Sequence, residues 1–252
     1  MEKKWDAVYK KELCTNWYPM LGIVRFSARY LKRRIGIDVY NVKKDTNRIL
    51  DVGCGNGNHV IFFAEQGFNV YGIDISREAI EIAEDWLSRK GLKADLRVGD
   101  IEKLPFDDAY FDVIVSHGVL DHVPFSKARK AMEEIKRVLL PGGYVFITLR
   151  STEDSEFGRG KEVEHNAFLL QNGYEKGIIQ HYFGLEKIRD LFKGFKIFDL
   201  ELHEEKFPSN FTVDKAFLQS SKGLKKYVDI LKPTDLTLRY SRWYIAAEKE
   251  ES

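Results

Sequence analysis

The chain has 252 residues, enough for one large α/β domain with appended segments, and 40 basic against 39 acidic side chains give it a net charge of +1. This balance excludes a strong overall attraction to nucleic acid or to an anionic membrane. No apolar run approaches the roughly 18 residues of a membrane-spanning helix, and the N-terminus lacks a secretory signal, so we expect a cytoplasmic protein without membrane partners.

Residues 1–46 precede the first predicted strand, and the spacing of their apolar residues predicts helices. We expect them to form an N-terminal helical lid outside the sheet. The window from Arg25 to Arg48 is the most basic part of the chain, with Asp38 and Asp45 as its only acids. A solvated helix face explains it most simply, and a surface for an anionic substrate or RNA is the alternative.

Residues 48–74 have the pattern of a strand, a glycine turn, a helix and a second strand. The first apolar run ends in the turn DVGCGNG, an apolar stripe of helical period follows, and the second run ends at Asp74. A glycine turn at a helix N-terminus offers unpaired N–H groups to a polar or anionic ligand. An acid at the tip of the second strand suits the two hydroxyls of a ribose. The stretch therefore predicts half of a nucleoside-binding site.

Further strands and helices alternate along the chain, which predicts a doubly wound, mostly parallel α/β sheet. Two late strands complete seven, and the last is expected to run antiparallel at the sheet edge. We expect a Rossmann-like domain over residues 47–252, with insertions at 151–183 and 206–240. The predicted later elements are strands at 94–98, 111–116, 144–149, 196–205 and 243–247, with helices after Ser76 and over 126–140 and 185–192.

The glycine spacing separates two classes of nucleotide site. A dinucleotide fingerprint that starts at Gly53 needs its third glycine at position 58, but Asn58 stands there and the glycine is Gly57. The form DVGCGNG, with Asp51 two residues before the first glycine, resembles motif I of class I S-adenosylmethionine-dependent methyltransferases. Four later landmarks agree in order and distance, so that the resemblance covers residues 48–150: Asp74, Gly99-Asp100-Ile101, FDVIVSHGVLDHV and LLPGGYVFIT.

This resemblance implies S-adenosylmethionine as the cofactor and assigns residues to its parts. Asp74 would hold the ribose hydroxyls, Asp100 would accept from the adenine amino group, and Ile75 and Ile101 would flank the adenine. Cys54 is expected to be a small packed residue of the glycine turn and is included among the cofactor contacts. The other implied contacts are Asp51, Gly53, Gly55 and Gly57 in the turn, Ser116 and His117 near the methionine end, and the lid aromatics Trp5, Tyr9, Trp17 or Tyr18.

Methyl transfer needs a nucleophile held in line about 3 Å from the methyl carbon, with water kept out. A general base is needed only when the acceptor is poorly ionised. Two histidines, His117 and His122, flank the loop after the fourth strand, and the 151–183 insertion carries His181 and Tyr182. The catalytic prediction falls on His117, His181 and Tyr182.

The sequence also bears on the methyl acceptor. The Asn/Asp-Pro-Pro-aromatic signature of amino-group methylation in nucleic acids or glutamine is absent from the family pattern here, and Ser116-His117-Gly118-Val119 stands in its place. We therefore predict a methyltransferase for a small-molecule acceptor, acting as a monomer or homodimer. RNA methylation, a non-catalytic cofactor-binding subunit and a less favoured nicotinamide-dependent oxidoreductase are the alternatives. Cys14 and Cys54 lack nearby ligand companions, so no metal is expected.

Overall fold

The computed structural model describes residues 2–10, 17–43, 46–172, 175–207 and 238–250. Its helices pack on both faces of a central sheet. They are α1 (Glu2–Tyr9), α2 (Leu21–Phe26, continued by a π-helical turn over Ser27–Leu31), α3 (Asn58–Glu65), α4 (Arg77–Lys90), α5 (Phe125–Val138) and α6 (Leu185–Leu191). A 3₁₀ turn, Leu120–His122, comes shortly before α5 in the chain. None of the described helices is long and apolar enough to cross a membrane.

The strands form one large sheet and two small ones. In chain order they are β1 (Lys32–Arg34), β2 (Tyr40–Val42), β3 (Arg48–Val52), β4 (Asn69–Asp74), β5 (Asp95–Val98), β6 (Phe111–His117), β7 (Leu139–Arg150), β8 (Lys161–Glu164), β9 (Ala167–Leu169), β10 (Ile179–His181), β11 (Phe195–Phe207) and β12 (Leu238–Lys249).

The large sheet has seven strands in the order β11-β12-β7-β6-β3-β4-β5. Pairs among β3, β4, β5, β6 and β7 are parallel, and β12 is antiparallel to both of its neighbours. The mostly parallel sheet with an antiparallel last strand is thus confirmed. The expected edge position of that strand is wrong, because β12 lies between β7 and β11. Its run of buried Ile245, Ala246 and Ala247 fits a strand covered on both faces, whereas β11 exposes Phe198 and Leu200 at the edge.

The sequence predicted only helices in the N-terminal region, and this prediction is wrong for part of it. Strands β1 and β2 pair as an antiparallel hairpin in which Lys32 faces Val42 and Arg34 faces Tyr40. Val39, Tyr40 and Val42 favour strand over helix, and this preference outweighs the helical spacing before them. The described parts of this region, residues 2–10 and 17–43, therefore combine helices with a hairpin.

The basic window also has partners that the sequence did not reveal. The Arg25 guanidinium forms a two-pronged ion pair with Glu201 of β11, with Nη1–Oε1 at 3.1 Å and Nη2–Oε2 at 2.5 Å. Arg29 lies 3.6 Å from Asp199 of the same strand. Part of the positive charge therefore braces the N-terminal helices against the sheet edge.

The predicted insertion at 151–183 contains the three-stranded antiparallel sheet β10-β9-β8. Its last residues enter the core, where Phe183 is fully buried and its carbonyl oxygen accepts a 2.9 Å hydrogen bond from Trp243 Nε1. The insertion is thereby tied to β12. Most of the second predicted insertion, 206–240, lies outside the described residues.

Candidate active site

The glycine turn between β3 and α3 is built from three residues with left-handed backbone. Gly53, Gly55 and Gly57 have φ of 75°, 51° and 85°, a conformation that residues with a Cβ rarely adopt. The Gly53 N–H donates to the Ile73 carbonyl at 2.7 Å, which ties the turn to β4. A Cβ on Gly53 would lie 2.2 Å from Val119 Cγ2. The turn therefore approaches the loop after β6 as closely as backbone allows.

A cleft with about 640 Å³ of empty space opens beside this turn, at the carboxyl ends of the parallel strands. This is where doubly wound sheets place their ligands. The cleft brings together many of the residues that the sequence singled out: Trp5, Tyr9, Gly53, Asp74, Ile75, Asp100, Ile101 and His117. Residues that the sequence analysis did not assign to the cofactor also line it, namely Gly118, Val119, His122, Val123 and Lys127.

Asp74 ends β4 with its carboxylate buried between two backbone donors. Oδ2 accepts from the Gly55 N–H at 2.9 Å, and Oδ1 accepts from the Ser76 N–H at 2.8 Å. Burial nevertheless raises the pKa of this carboxyl from 3.8 to about 6. A carboxylate has about four lone-pair sites, so two remain for donors of a ligand.

Asp51 is the second buried acid of the turn. Both of its carboxylate oxygens are shielded from solvent and lack a hydrogen-bond donor among the described residues, and His59 Nδ1 lies 3.6 Å from Oδ2. An unpaired buried carboxylate is costly unless a cationic donor completes it. Asp51 is fully buried and is not among the residues that line the cleft, and its unpaired oxygens would suit an ammonium group such as that of S-adenosylmethionine.

Asp100 lies at the opposite end of the cleft and already has a cationic neighbour. Lys127 Nζ on α5 lies 2.8 Å from Asp100 Oδ2, and Asp100 Oδ1 accepts from the Glu102 N–H at 3.1 Å. Burial opposes the ionised form, but the ammonium and the N–H outweigh it and lower the pKa of Asp100. No spacing in the sequence pointed to Lys127, because it lies a loop and a strand away from Asp100.

Helix α1 is held over the cleft at two points. Asp6 Oδ1 accepts from Ser76 Oγ at 2.6 Å and from the Glu78 N–H at 3.4 Å, at the N-terminus of α4. On another part of α1, the Lys4 ammonium donates to the Gly177 carbonyl of the 151–183 insertion. An acid at a helix N-terminus is also favoured by the helix dipole. These contacts turn two aromatic residues of α1 toward the site.

The two aromatic residues cover different parts of the cleft. The Trp5 ring meets the His122 ring edge-on, with ring centres 5.2 Å apart. The Tyr9 hydroxyl comes so close to the turn that a Cβ on Gly55 would lie 2.4 Å from Tyr9 Oη. Helix α1 therefore lies over the glycine turn.

Other predicted cofactor contacts lie behind the cleft or outside it. Ser116 is buried and donates from Oγ to the Val52 carbonyl at 3.0 Å. Cys54 is buried, and burial raises the pKa of its thiol well above the usual value, as expected of a packed residue. Trp17 is half exposed and contacts Trp86 edge-on at 4.8 Å instead of lining the cleft.

Of the three predicted catalytic residues, His117 alone lines the cleft. Tyr182 is fully buried and donates its hydroxyl hydrogen to the Glu156 carbonyl at 2.9 Å. His181 is also buried, stacks on Phe183 at 4.5 Å between ring centres and has Lys187 Nζ 2.7 Å from its Nε2. Both side chains pack the insertion against the core. The aromatic cluster in the sequence is compatible with a core as well as with a pocket, so it could not tell the two apart.

The loop after β6 rests on a buried ion pair that the sequence analysis missed. Arg242 of β12 places Nη1 2.8 Å from Asp121 Oδ2 and 3.3 Å from Thr148 Oγ1. The Asp121 side chain is fully buried, and although burial opposes the charge, Arg242 lowers the pKa of Asp121 to about 2. The pair joins β12 to the 3₁₀ turn Leu120–His122, within the loop after β6.

We expect Gly55→Ala to weaken cofactor binding. The added methyl group would lie 2.4 Å from Tyr9 Oη, and alanine is strained at a φ of 51°. Either the turn or α1 must move, so the affinity for S-adenosylhomocysteine should fall by about tenfold or more, with a loss of stability of about 1–3 kcal/mol. Calorimetric titration tests this, with Gly67→Ala as the control, because Gly67 also has a positive φ but meets no atom within 4 Å. Equal effects on binding from the two variants would contradict the close approach.

Comparison with known proteins agrees with this geometry. Residues 50–147 match the family described as a methyltransferase domain. The chain is 42% identical over 112 residues to an uncharacterized methyltransferase of Schizosaccharomyces pombe, covering 40% of this chain and 39% of that protein. It is 30% identical over 154 residues to the human EEF1A lysine methyltransferase 2, covering 57% of this chain and 65% of that protein. The chain thus spans between about two fifths and two thirds of these curated relatives.

A solved structure supports the same fold. A structure described as a SAM-dependent methyltransferase from Methanosarcina mazei superposes with a TM-score of 0.64 at 24% identity, covering 83% of this chain and 95% of that one. The matched domain, the strand order and the glycine turn bounded by Asp51 and Asp74 coincide in one region of the molecule. Residues 50–147 therefore carry a methyltransferase domain, and the chain has the fold of the S-adenosylmethionine-dependent methyltransferases.

Proposed function

We propose that this protein transfers a methyl group from S-adenosylmethionine to a small-molecule acceptor. One observation carries the proposal: the cleft places Asp74 and Asp100 around the glycine turn, with α1 closed above it. Buried acids at these positions favour a ligand that carries hydroxyl, amino and cationic groups together. The cofactor of this family has all three.

The proposed role of each residue follows from the donors and acceptors that it offers. S-adenosylmethionine supplies a methyl group on a positively charged sulfur, which is already a good electrophile. Asp74 would accept hydrogen bonds from the ribose hydroxyls, and Asp51 would balance the ammonium group. Asp100 would accept from the adenine amino group while it keeps Lys127 as a neighbour. The aromatic residues of α1 would exclude water, which competes with the acceptor.

The lid favours a small acceptor over a macromolecule. Helix α1 is anchored at Ser76 on one side of the cleft and at Gly177 on the other. A protein or RNA chain would have to displace this helix to reach the cleft, whereas a small molecule would only have to pass it. One relative is described as a lysine methyltransferase, and the descriptions of the other two name no acceptor, so these names do not decide the class.

The alternative functions have weaker support. Two arginines of the basic window are engaged by Glu201 and Asp199, which reduces the charge available to RNA. The third-glycine spacing disfavours a nicotinamide cofactor, as the sequence analysis argued. A non-catalytic role would leave the polar groups around His117 and His122 without a chemical purpose.

An acceptor screen tests the proposal. The protein is incubated with S-adenosylmethionine that carries a labelled methyl group and with a cell extract divided into small-molecule, protein and RNA fractions. We expect the label in the small-molecule fraction with wild type and at least a hundredfold less of it with Asp74→Ala. Label that appears only in the protein or RNA fraction would overturn the small-molecule acceptor. Label in no fraction would count against methyl transfer itself.

A further inference from the structure

The hydrogen bonds around Thr148 determine which nitrogen of His117 carries a hydrogen. Thr148 Oγ1 lies 3.4 Å from the Gly118 N–H and 3.3 Å from Arg242 Nη1, and both of these groups can only donate. The hydroxyl oxygen accepts from both and keeps one hydrogen to give. Its remaining partner is His117 Nδ1 at 2.8 Å. His117 Nδ1 is therefore an acceptor, and a neutral His117 ring carries its hydrogen on Nε2.

The surroundings keep the His117 ring neutral. Burial first, and then the nearby Arg242 and His59, lower the pKa of His117 well below 6.5. The charge of Asp121 acts in the opposite direction but does not prevail. At neutral pH, His117 thus offers the cleft an N–H donor and no lone pair.

His122 has the opposite arrangement. Its Nδ1 lies 3.4 Å from the carbonyl oxygen of Ile179 in β10, and a carbonyl can only accept. Nδ1 therefore carries the hydrogen, which leaves the lone pair of a neutral ring on Nε2. The side chain is 8% exposed and lines the cleft beneath Trp5. His122 offers the cleft an acceptor for a proton.

We propose that these two histidines divide the work at the acceptor end of the cleft: His117 holds an acceptor oxygen through Nε2–H, and His122 takes the proton of the nucleophile at Nε2. This inference rests on the proposed methyl transfer and names its substrate class. The acceptor is a small molecule with a hydroxyl, phenol or thiol nucleophile next to a second oxygen. A protonated amine offers only donors and would meet the N–H of His117 unfavourably.

The step balances as a proton transfer joined to a displacement. The O–H or S–H bond of the acceptor breaks and its hydrogen becomes the Nε2–H of His122. The freed electron pair forms the bond to the methyl carbon, and the pair of the broken carbon–sulfur bond stays on sulfur. The products are the methylated acceptor, the neutral thioether and an imidazolium at His122, which later returns its proton to water.

Nuclear magnetic resonance tests the two tautomers without an acceptor. The full chain, labelled with nitrogen-15 in its histidines, is measured at neutral pH with and without S-adenosylhomocysteine. Signals are assigned from His117→Gln and His122→Asn, whose own resonances disappear. We expect protonated Nε2 in His117 and protonated Nδ1 in His122. The reverse state at either ring would overturn the assignment.

A variant of the hydroxyl donor sharpens this measurement. Thr148→Val keeps the shape of the side chain but removes the hydrogen bond to His117 Nδ1. We expect the His117 ring to become a mixture of both tautomers, while His122 keeps its state. An unchanged His117 spectrum would contradict the role given to Thr148.

A transfer assay tests the division of work and the substrate class. Labelled S-adenosylmethionine is offered with a panel of phenols, hydroxy acids, thiols and primary amines. We expect transfer to oxygen or sulfur, a loss of about 10²–10⁴-fold in His122→Asn, which keeps a donor for Ile179, and no change in the exposed control His165→Asn. His117→Gln, which retains an N–H donor, should lose at least tenfold less than His117→Leu. Transfer to amines alone, or to no member of the panel, would overturn the class.

The two proposals fail separately. Calorimetric titration with S-adenosylhomocysteine on the same samples should give the same affinity for wild type and His122→Asn within about threefold, since His122 acts on the acceptor. If wild type does not bind this ligand, the proposed function fails, and the tautomers measured by resonance still decide the histidine assignment.

Discussion

Asp74→Asn is expected to weaken the binding of S-adenosylhomocysteine by about a hundredfold or more. Two ribose hydroxyls would donate to the Asp74 carboxylate, and a hydrogen bond to a charged group contributes about 1.5–3 kcal/mol. Asparagine removes the charge. Its side-chain NH₂ would also face the backbone N–H of Gly55 or of Ser76, which now donate to the carboxylate, so that one donor would meet another. Calorimetry measures the loss, with the exposed Asp85→Asn on α4 as a matched control that should bind as wild type does.

The same substitution has a separate effect on the stability of the ligand-free protein. Burial raises the pKa of Asp74 from 3.8 to about 6, so the folded state holds this proton more tightly than the unfolded state. The protonated Asp74 carboxyl therefore makes its full contribution to the stability of the fold below about pH 4, and this contribution is lost as the pH rises through about 6. The shift corresponds to about 3 kcal/mol.

Urea denaturation of the ligand-free protein measures this cost. Between pH 4 and pH 8, the free energy of unfolding of wild type should fall by about 3 kcal/mol relative to that of Asp74→Asn, which cannot ionise here. The affinity of wild type for S-adenosylhomocysteine should change in the opposite sense and fall as the pH drops below about 6. If the free energies of unfolding of the two proteins change with pH in parallel, burial does not raise the pKa of Asp74.

Arg242→Met should destabilise the fold by about 3–5 kcal/mol, which is the cost of leaving a buried charge without its partner. Arg242 Nη1 lies 2.8 Å from Asp121 Oδ2, and Asp121 is fully buried. Burial disfavours the Asp121 charge, but Arg242 and the other nearby basic side chains together outweigh it and lower the carboxyl pKa to about 2. The stability that this shift provides is present above the unfolded pKa of 3.8 and is lost as the pH falls through about 2.

Chemical denaturation with a double-variant cycle separates the pair from its parts. Arg242→Met with Asp121→Leu should recover most of the stability, because no buried charge is left unpaired. The exposed ion pair of Arg89 and Asp85 supplies the control, since Arg89→Met should cost less than about 1 kcal/mol. A loss below 1 kcal/mol in Arg242→Met as well would contradict the role given to the buried pair.

The sheet and the part of the cleft next to the glycine turn were predictable because their signals are local. A glycine turn between two apolar strands needs only adjacent residues to be recognised, and near-continuous apolar runs identify strands covered on both faces. The order of these signals along the chain then determined the topology. Asp74 and Asp100 lie at the ends of their strands, so the parallel sheet carries both to the cleft.

The contacts that hold α1 and the loop after β6 in place could not be predicted because they join distant segments. Arg242 reaches Asp121 across more than a hundred residues, and Asp6 reaches Ser76 from outside the domain. No period or spacing encodes such pairs. The aromatic company of His181 suggested a pocket, but the same composition fills a core, and the structure buries it. The hairpin of β1 and β2 was missed because three-residue strands give too short an alternation.

A pair of calorimetric titrations of wild-type protein, one with S-adenosylhomocysteine and one with a reduced nicotinamide dinucleotide, decides which cofactor the cleft binds. We predict saturable binding of the first ligand at one site and none of the second. At about a hundred times its dissociation constant, S-adenosylhomocysteine should also stabilise the fold by about 2.7 kcal/mol. Binding of the nicotinamide cofactor without binding of S-adenosylhomocysteine would show that the cleft is not a site for S-adenosylmethionine.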